Sequence, residues 1–269
     1  MESTSITVKA MVVVLLTTST VSANLSDGLV AYYPFNGNAN DETSNGHDGT
    51  VYGATLTTDR FGNPNSAYSF NDTTDYIALS NAQDFAFGGS FSVSLWGTVA
   101  ENTNTYDPFI WIGGPSAGTP DFTIMKSRSG WSEGRLYAQV LPPKTEVFST
   151  ATGAEIPTNE WLHMVAIVDQ STDTLSFYVN DALQGTNNIW DFDLSSVSPL
   201  YANIGRDTWT SGADYHYGLI DDVRVYNRTL TASEVHDLYV IPAPGAIILA
   251  GIGVACVTWL RRCKVFAGV

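Results

Sequence analysis

Between Asn24 and Val240 the chain offers four histidines, 26 carboxylates and eight basic side chains, and no thiol, because Cys256 and Cys263 both lie beyond that stretch. Thiol nucleophiles and disulfides are therefore excluded there, and stability must come from packing or from a bound ion. His47, His163, His216 and His236 are scattered, and no His-Glu-x-x-His zinc motif, Gly-x-Ser-x-Gly elbow, Asp-box or phosphate-cradling glycine loop occurs. His163 lies inside an apolar run, where a structural histidine is expected. The net charge of −18 over this stretch repels nucleic acid and anionic lipid. With no basic stripe for phosphate contacts, nucleic acid is not a partner. Aromatic rings are the other chemical resource. Trp111, Trp131, Trp190, Trp209, Tyr215 and Tyr217 fall in or beside stretches read as loops, where ring faces can stack on sugars. Trp190, Trp209 and Tyr215 are the candidates for ligand contact, with core or rim packing as the alternative for each.

The elements that must position these groups are almost all strands. Runs rich in Val, Ile, Tyr, Phe and Trp recur at 29–35, 90–96, 121–126, 135–141, 160–168, 174–180 and 218–226, separated by Gly, Asn, Asp, Ser and Thr. In the run at 174–180, Leu175, Phe177 and Val179 share one face, and Asn180-Asp181 then makes a hairpin turn toward Leu183. By the same alternation Asp221 shares a face with Val223 and Val225, which would aim its carboxylate inward, where an unpaired charge is expensive. One short helix is expected late, from the capping-box pattern Thr231-Ala-Ser-Glu234 followed by Val235, Leu238 and Tyr239 at helical spacing. The 217 residues from 24 to 240 suffice for one large all-β domain.

Several segments resemble a bacterial laminin-G-like domain, a concanavalin A-like jelly-roll β-sandwich. They are Gly28-Leu-Val-Ala-Tyr-Tyr-Pro-Phe-Asn-Gly37, the polar loop Asp41 to Gly49, Ala67-Tyr-Ser-Phe70, Gly89-Ser-Phe-Ser-Val-Ser-Leu-Trp96, Glu160 to Val165, Leu175 to Asn180 and the closing run Gly218 to Val235. Gly97 departs from the family pattern, which continues with an apolar residue, so a local bulge or an early strand end is expected there. The resemblance implies a structural calcium ion (Ca2+) where the opening loop meets the last strand. Calcium takes six to eight oxygen ligands, and Asn36, Asp41 and Asp221 are the oxygen donors in the corresponding segments, with Asp48 and Asp222 in reserve. The alternative is that Asp41 caps a turn and Asp221 pairs with an arginine or with backbone N–H groups. The fold also hosts glycoside hydrolases, whose retaining members carry Glu-x-Asp-x-x-Glu on one strand; that string is absent here, so no catalytic residue is assigned.

Both ends of the chain read as addresses. At residues 1–23, Lys9 precedes an apolar run, and Val21-Ser-Ala23 offers small residues to a signal peptidase, so cleavage is expected after Ala23. Residues 241–269 resemble a PEP-CTERM sorting signal: Pro242-Ala243-Pro244, then an uncharged hydrophobic helix at 245–260, then Arg261, Arg262 and Lys264. Ala243 stands where the pattern has Glu. The helix falls short of the about 20 apolar residues of a stable span, which suits transient membrane residence before an exosortase-type enzyme acts. The expected product is an exported, non-catalytic protein of the bacterial cell surface or extracellular matrix. It would serve in adhesion or carbohydrate binding, with extracellular polysaccharide as a partner. A structural, protein-binding role in the exopolysaccharide matrix is the alternative, and a glycoside hydrolase the remaining one.

Overall fold

The computed structural model describes residues 24–101, 105–116, 118–128, 135–141, 144–148, 156–208 and 212–241. In chain order its strands are β1 (Leu29–Tyr33), β2 (Gly49–Tyr52), β3 (Thr55–Thr57), β4 (Ala67–Asn71), β5 (Tyr76–Leu79), β6 (Phe91–Gly97), β7 (Asp107–Gly113) and β8 (Asp121–Lys126). There follow β9 (Leu136–Leu141), β10 (Thr145–Phe148), β11 (Leu162–Asp169), β12 (Thr174–Val179), β13 (Ala182–Asn188), β14 (Tyr201–Ile204), β15 (Tyr217–Tyr226) and the helix α1 (Ala232–Val240). Every described pairing is antiparallel, which needs only short connections and allows one face of each sheet to stay polar. The first sheet runs β13-β12-β11-β6-β15-β4-β3, and β1 lies beside the second half of β15; the second runs β10-β9-β8-β7-β14-β5-β2.

Alternation sets what lies between the sheets. Phe91, Val93 and Leu95 of β6, Met164, Ala166 and Val168 of β11, and Ile220, Val223 and Val225 of β15 meet Ile110 and Ile112 of β7, Phe122 and Ile124 of β8, and Ala138 and Val140 of β9 in one apolar core. A second, smaller cluster forms on the outer side of the first sheet. There Val165, Ile167 and Tyr226 receive Val235 and Leu238 of α1, whose start is fixed by the Thr231–Glu234 capping box. The β12–β13 hairpin turns at Asn180 and Asp181, both with positive φ (48° and 67°), as the two-residue turn demands.

Two expectations about the first sheet change. Gly97 lies inside the ladder, paired with Leu162 and Ile220, and it is glycine because a Cβ there would come within 2.5 Å of the Phe109 ring of the opposite sheet. The irregularity is on the neighbouring strand instead. Asp221 faces Trp96 and Arg224 faces Ser94, so two residues of β15, Asp222 and Val223, stand against Leu95 alone, and Asp222 takes the left-handed φ of 51°. The extra residue breaks the period of two. Asp221 therefore points to the outer side with Trp96, not inward with Val223 and Val225.

Candidate functional site

Three neighbouring strands of the second sheet build a cleft on its outer face. Because Ile110 and Ile112, Phe122 and Ile124, and Ala138 and Val140 point into the core, Trp111 of β7, Asp121 and Thr123 of β8, and Gln139 and Leu141 of β9 point the other way. Trp111, Gly114, Ser116, Gly118, Asp121, Leu141 and Thr208 line a small cleft that opens to solvent. Two glycines make the close approach possible. A Cβ on Gly113 would lie 2.4 Å from Asp121 Cβ and 2.8 Å from Trp111 Cζ2, and one on Gly114 would lie 2.6 Å from Thr119 Oγ1.

In and beside this cleft, polar groups are buried with poor hydrogen-bond geometry. Asp121 is 6% exposed, Trp111 1% and Gln139 3%. Asp121 Oδ1, Trp111 Nε1, Gln139 Nε2 and Thr208 Oγ1 have no hydrogen-bond partner. Burial pushes the Asp121 carboxyl up to about 7, and the neighbouring Asp207 carboxylate adds to the shift. The nearby N–H groups of Trp111 and Gln139 oppose it without reaching hydrogen-bond geometry. Native structures rarely leave such groups unmade, since each forfeits about 1–3 kcal/mol of solvation. Asp121, Trp111 and Thr208 thus line the cleft with one acceptor and two donors, and Gln139 stands beside Asp121.

The residues expected to hold calcium are engaged otherwise. Asp41 caps its own loop: Oδ1 accepts from the Tyr32 N–H at 3.1 Å and the Thr43 N–H at 2.9 Å, and Oδ2 accepts from the His47 N–H at 3.3 Å and lies 3.2 Å from His47 Nδ1. Burial opposes its ionisation, but these donors and the Thr43 hydroxyl outweigh that and hold its carboxyl below the usual range. Asp48 accepts the Asp41 N–H at 2.9 Å, and Asn36 is exposed. Asp221 meets Arg60 Nη1 at 2.9 Å and accepts the Asp222 N–H at 2.7 Å. Among the described residues no three His, Cys, Asp or Glu side chains converge to hold a metal ion. The expected set does not fit a calcium cage as arranged, because its oxygens already serve a loop cap and an arginine.

Around Asp221 lies a buried charge network on the outer side of the first sheet. Arg60 Nη2 reaches Asp222 Oδ2 at 2.6 Å, and Asp222 Oδ1 accepts from the Tyr32 hydroxyl at 2.8 Å and from Arg224 Nη2 at 3.3 Å. Arg60 stacks over Trp96 at 4.5 Å, and Arg224 over Tyr32 at 4.1 Å. Burial disfavours the charge on Asp222, but Arg224 and Arg60 more than offset it and keep its carboxyl below the usual range. Burial and the adjacent Asp222 push Asp221 up. His163 stacks at 5.1 Å on Trp96, shares Nε2 with Ser94 Oγ at 3.0 Å, and is driven down to about 3 by burial and by the two arginines, so it is neutral. Its Nδ1 has no partner, so the expected structural histidine is only half satisfied.

Among the aromatic candidates, Trp190 is 63% exposed and outside the cleft, and Tyr215 forms an isolated bridge with Arg206. Trp209 and Trp131 lie outside the described residues, as do the segment 1–23 and the tail residues Pro242, Ala243, Pro244, Arg261 and Arg262 with the hydrophobic helix 245–260. Trp111 and Tyr217, read as standing in or beside loops, lie in β7 and β15. Among the described residues no helix is long and apolar enough to cross a membrane. The cleft residues Asp121 and Gln139 went unnoticed in the sequence although both stand in predicted strands. The usable signal was a polar side chain at an outward position beside Thr123, with Phe122 and Ile124 facing in.

An antiparallel two-sheet sandwich with a polar cleft on one outer face defines a β-sandwich of the lectin and glucanase kind. A family model described as the concanavalin A-like lectin/glucanases superfamily matches residues 71–236, more than half of the chain, and the chain belongs to that family. Domain 4 of AbnA, a GH43 extracellular arabinanase from Geobacillus stearothermophilus solved in complex with arabinotriose, is similar with a TM-score of 0.61 at 23% identity, over 78% of this chain and 98% of that one. The binding domain of Paraclostridial Mosquitocidal Protein 1 gives 0.62 at 16% identity, over 80% and 52% of the two chains. The receptor binding domain of botulinum neurotoxin C/D mosaic serotype gives 0.58 at 15% identity, over 80% and 51%. This chain spans about half the length of those two toxin domains, and at these identities the likeness is one of fold. No curated protein matches the chain.

Proposed function

We propose that this protein is an exported, non-catalytic carbohydrate-binding protein of the bacterial surface or matrix, and that its ligand site is the cleft lined by Trp111, Asp121, Leu141 and Thr208. One observation carries this reading: Trp111, Asp121 and Thr208, each with a buried hydrogen-bonding atom that lacks a protein partner, line an open cleft on the outer face of the second sheet. Membership of a lectin and glucanase superfamily supports it, as does the relative solved with arabinotriose. Export rests on the signal-peptide and PEP-CTERM patterns at the two ends, with a signal peptidase and an exosortase-type enzyme as the processing partners. A glycan array probed with the full chain, in parallel with Trp111→Ala, tests the binding. Retention of a saccharide by the parent chain and its loss in the variant is the expected result. Turnover of any bound glycan would instead make the protein a hydrolase.

A further inference from the structure

Arg60, Arg224 and Arg228 each meet a carboxylate: Asp221 and Asp222, Asp222, and Glu234 respectively. Arg206, just after β14, meets rings instead. Its half-buried guanidinium lies 4.6 Å from the centre of the Tyr76 ring and 5.6 Å from that of Tyr215. Its Nε is enclosed without a hydrogen-bond partner, and among the described residues no acid pairs with it. Because Ile77 and Leu79 of β5 point into the core, Tyr76 points to the outer face of the second sheet, where it stacks on its cross-strand partner Tyr52 at 4.5 Å and 8°. Tyr52 stands on the edge strand β2 and is 46% exposed. In contact order Tyr215, Arg206, Tyr76 and Tyr52 make a strip, with β14 and β5 between β2 and the strand that carries Trp111.

We propose that this strip is a second saccharide site, for a polymer whose sugar units carry an anionic group, a carboxylate or a sulfate ester, with the anion on Arg206 and ring carbons against the tyrosines. The strip is distinct from the Trp111 cleft and shares with it only the class of ligand. A guanidinium keeps its charge, offers only donors, and can meet two oxygens of one anion through parallel bonds, each about twice as strong as a neutral one. Flanking rings hold that fork in place before a ligand arrives, which reduces the ordering cost of binding. The tyrosines add rigid apolar area for the C–H faces of a sugar. An open strip at a sheet edge also admits the interior of a long chain, where an enclosed pocket would take only an end. The acidic surface opposes an anionic polymer at long range, but that repulsion is largely screened beyond about 10 Å at 0.1 M salt, which leaves the local pair to decide. Nucleic acid fits worse, since its closely spaced phosphates call for a row of cations and the strip holds one arginine.

Isothermal titration of the full chain at neutral pH with a galacturonic acid trimer, a sulfated galactose trimer and the neutral galactose trimer tests the proposal. At least one anionic trimer should bind roughly tenfold or more tighter than the neutral one, and the tighter of the two identifies the group. That comparison needs no variant. Arg206→Gln should remove the margin, and Tyr52→Ala, at an exposed position that leaves Arg206 in place, should weaken the anionic trimer severalfold. Equal affinity for all three trimers would overturn the anionic site and leave saccharide binding at the Trp111 cleft standing. Binding of the anionic trimers alone, lost in Arg206→Gln, would uphold the strip and remove the cleft, and no binding of any trimer would overturn both. An equal loss for all three trimers in Arg206→Gln would make that arginine a packing residue, and an anionic margin unchanged in both variants would mean adsorption elsewhere; each would overturn the proposal.

Discussion

On the outer side of the first sheet two carboxylates, Asp221 and Asp222, meet two guanidiniums, Arg60 and Arg224, with the Tyr32 hydroxyl and the Trp96 ring closing the group. On the outer side of the second sheet Asp121 lies as deep, beside another acid, with only N–H groups at hand. The first arrangement holds a strand and a loop together; the second stores an unmet interaction. Buried polarity is therefore a guide to function only after its partners have been counted.

Breaking the compensated side should have the largest effect. Asp222→Asn leaves two buried guanidiniums with one carboxylate between them, and a stability loss of about 3–5 kcal/mol is expected in urea denaturation. The uncompensated side should respond with the opposite sign. The Asp121 carboxyl is raised to about 7 in the folded protein, above its unfolded value, so its ionisation destabilises the fold as pH rises from about 4 to 7. Asp121→Asn should flatten that part of the stability profile and, at pH 8, raise stability by a few kcal/mol, read from melts at both ends of the range. Gly113→Ala sharpens the contrast by forcing Asp121 and Trp111 apart; a loss of about 1–3 kcal/mol should accompany loss of saccharide binding. Thr231→Ala removes one half of the capping box and should lower the melting temperature by the equivalent of about 1 kcal/mol, leaving the cleft untouched. Chelation should leave the melting temperature unchanged while Asp41 keeps its present donors; a rise on adding calcium would show that the loop can release it.

The strands that alternate cleanly were legible from the chain alone. The run at 121–126 matches β8 residue for residue, and the late helix starts at the Thr231 cap. Short strands such as β3 and β14 escaped, because three or four residues carry too little pattern to stand out from loops. The orientation of Asp221 was misread for a different reason. Alternation assumes an unbroken ladder, and the extra residue at Asp222 reverses every side chain before it. Arg60 was invisible because it comes from a loop and meets its partners 161 residues away, a separation that local pattern does not encode. The cleft was half legible: outward Asp121 and Gln139 could be read from alternation, but their lack of partners is a property of three strands together.

The small cluster under α1 has a mechanical consequence. Leu25, just before the first strand, and Ile241, just after the helix, both pack against the group formed by Val165, Ile167, Tyr226, Leu230, Val235 and Leu238, and Arg228 ties the carbonyl of Asp27 to Glu234. Tension applied between those two points would be borne by this outer cluster and by one guanidinium before it reached the ladder of β15 and β6. The helix would peel away as a fuse, and the sandwich with its cleft would stay intact under load.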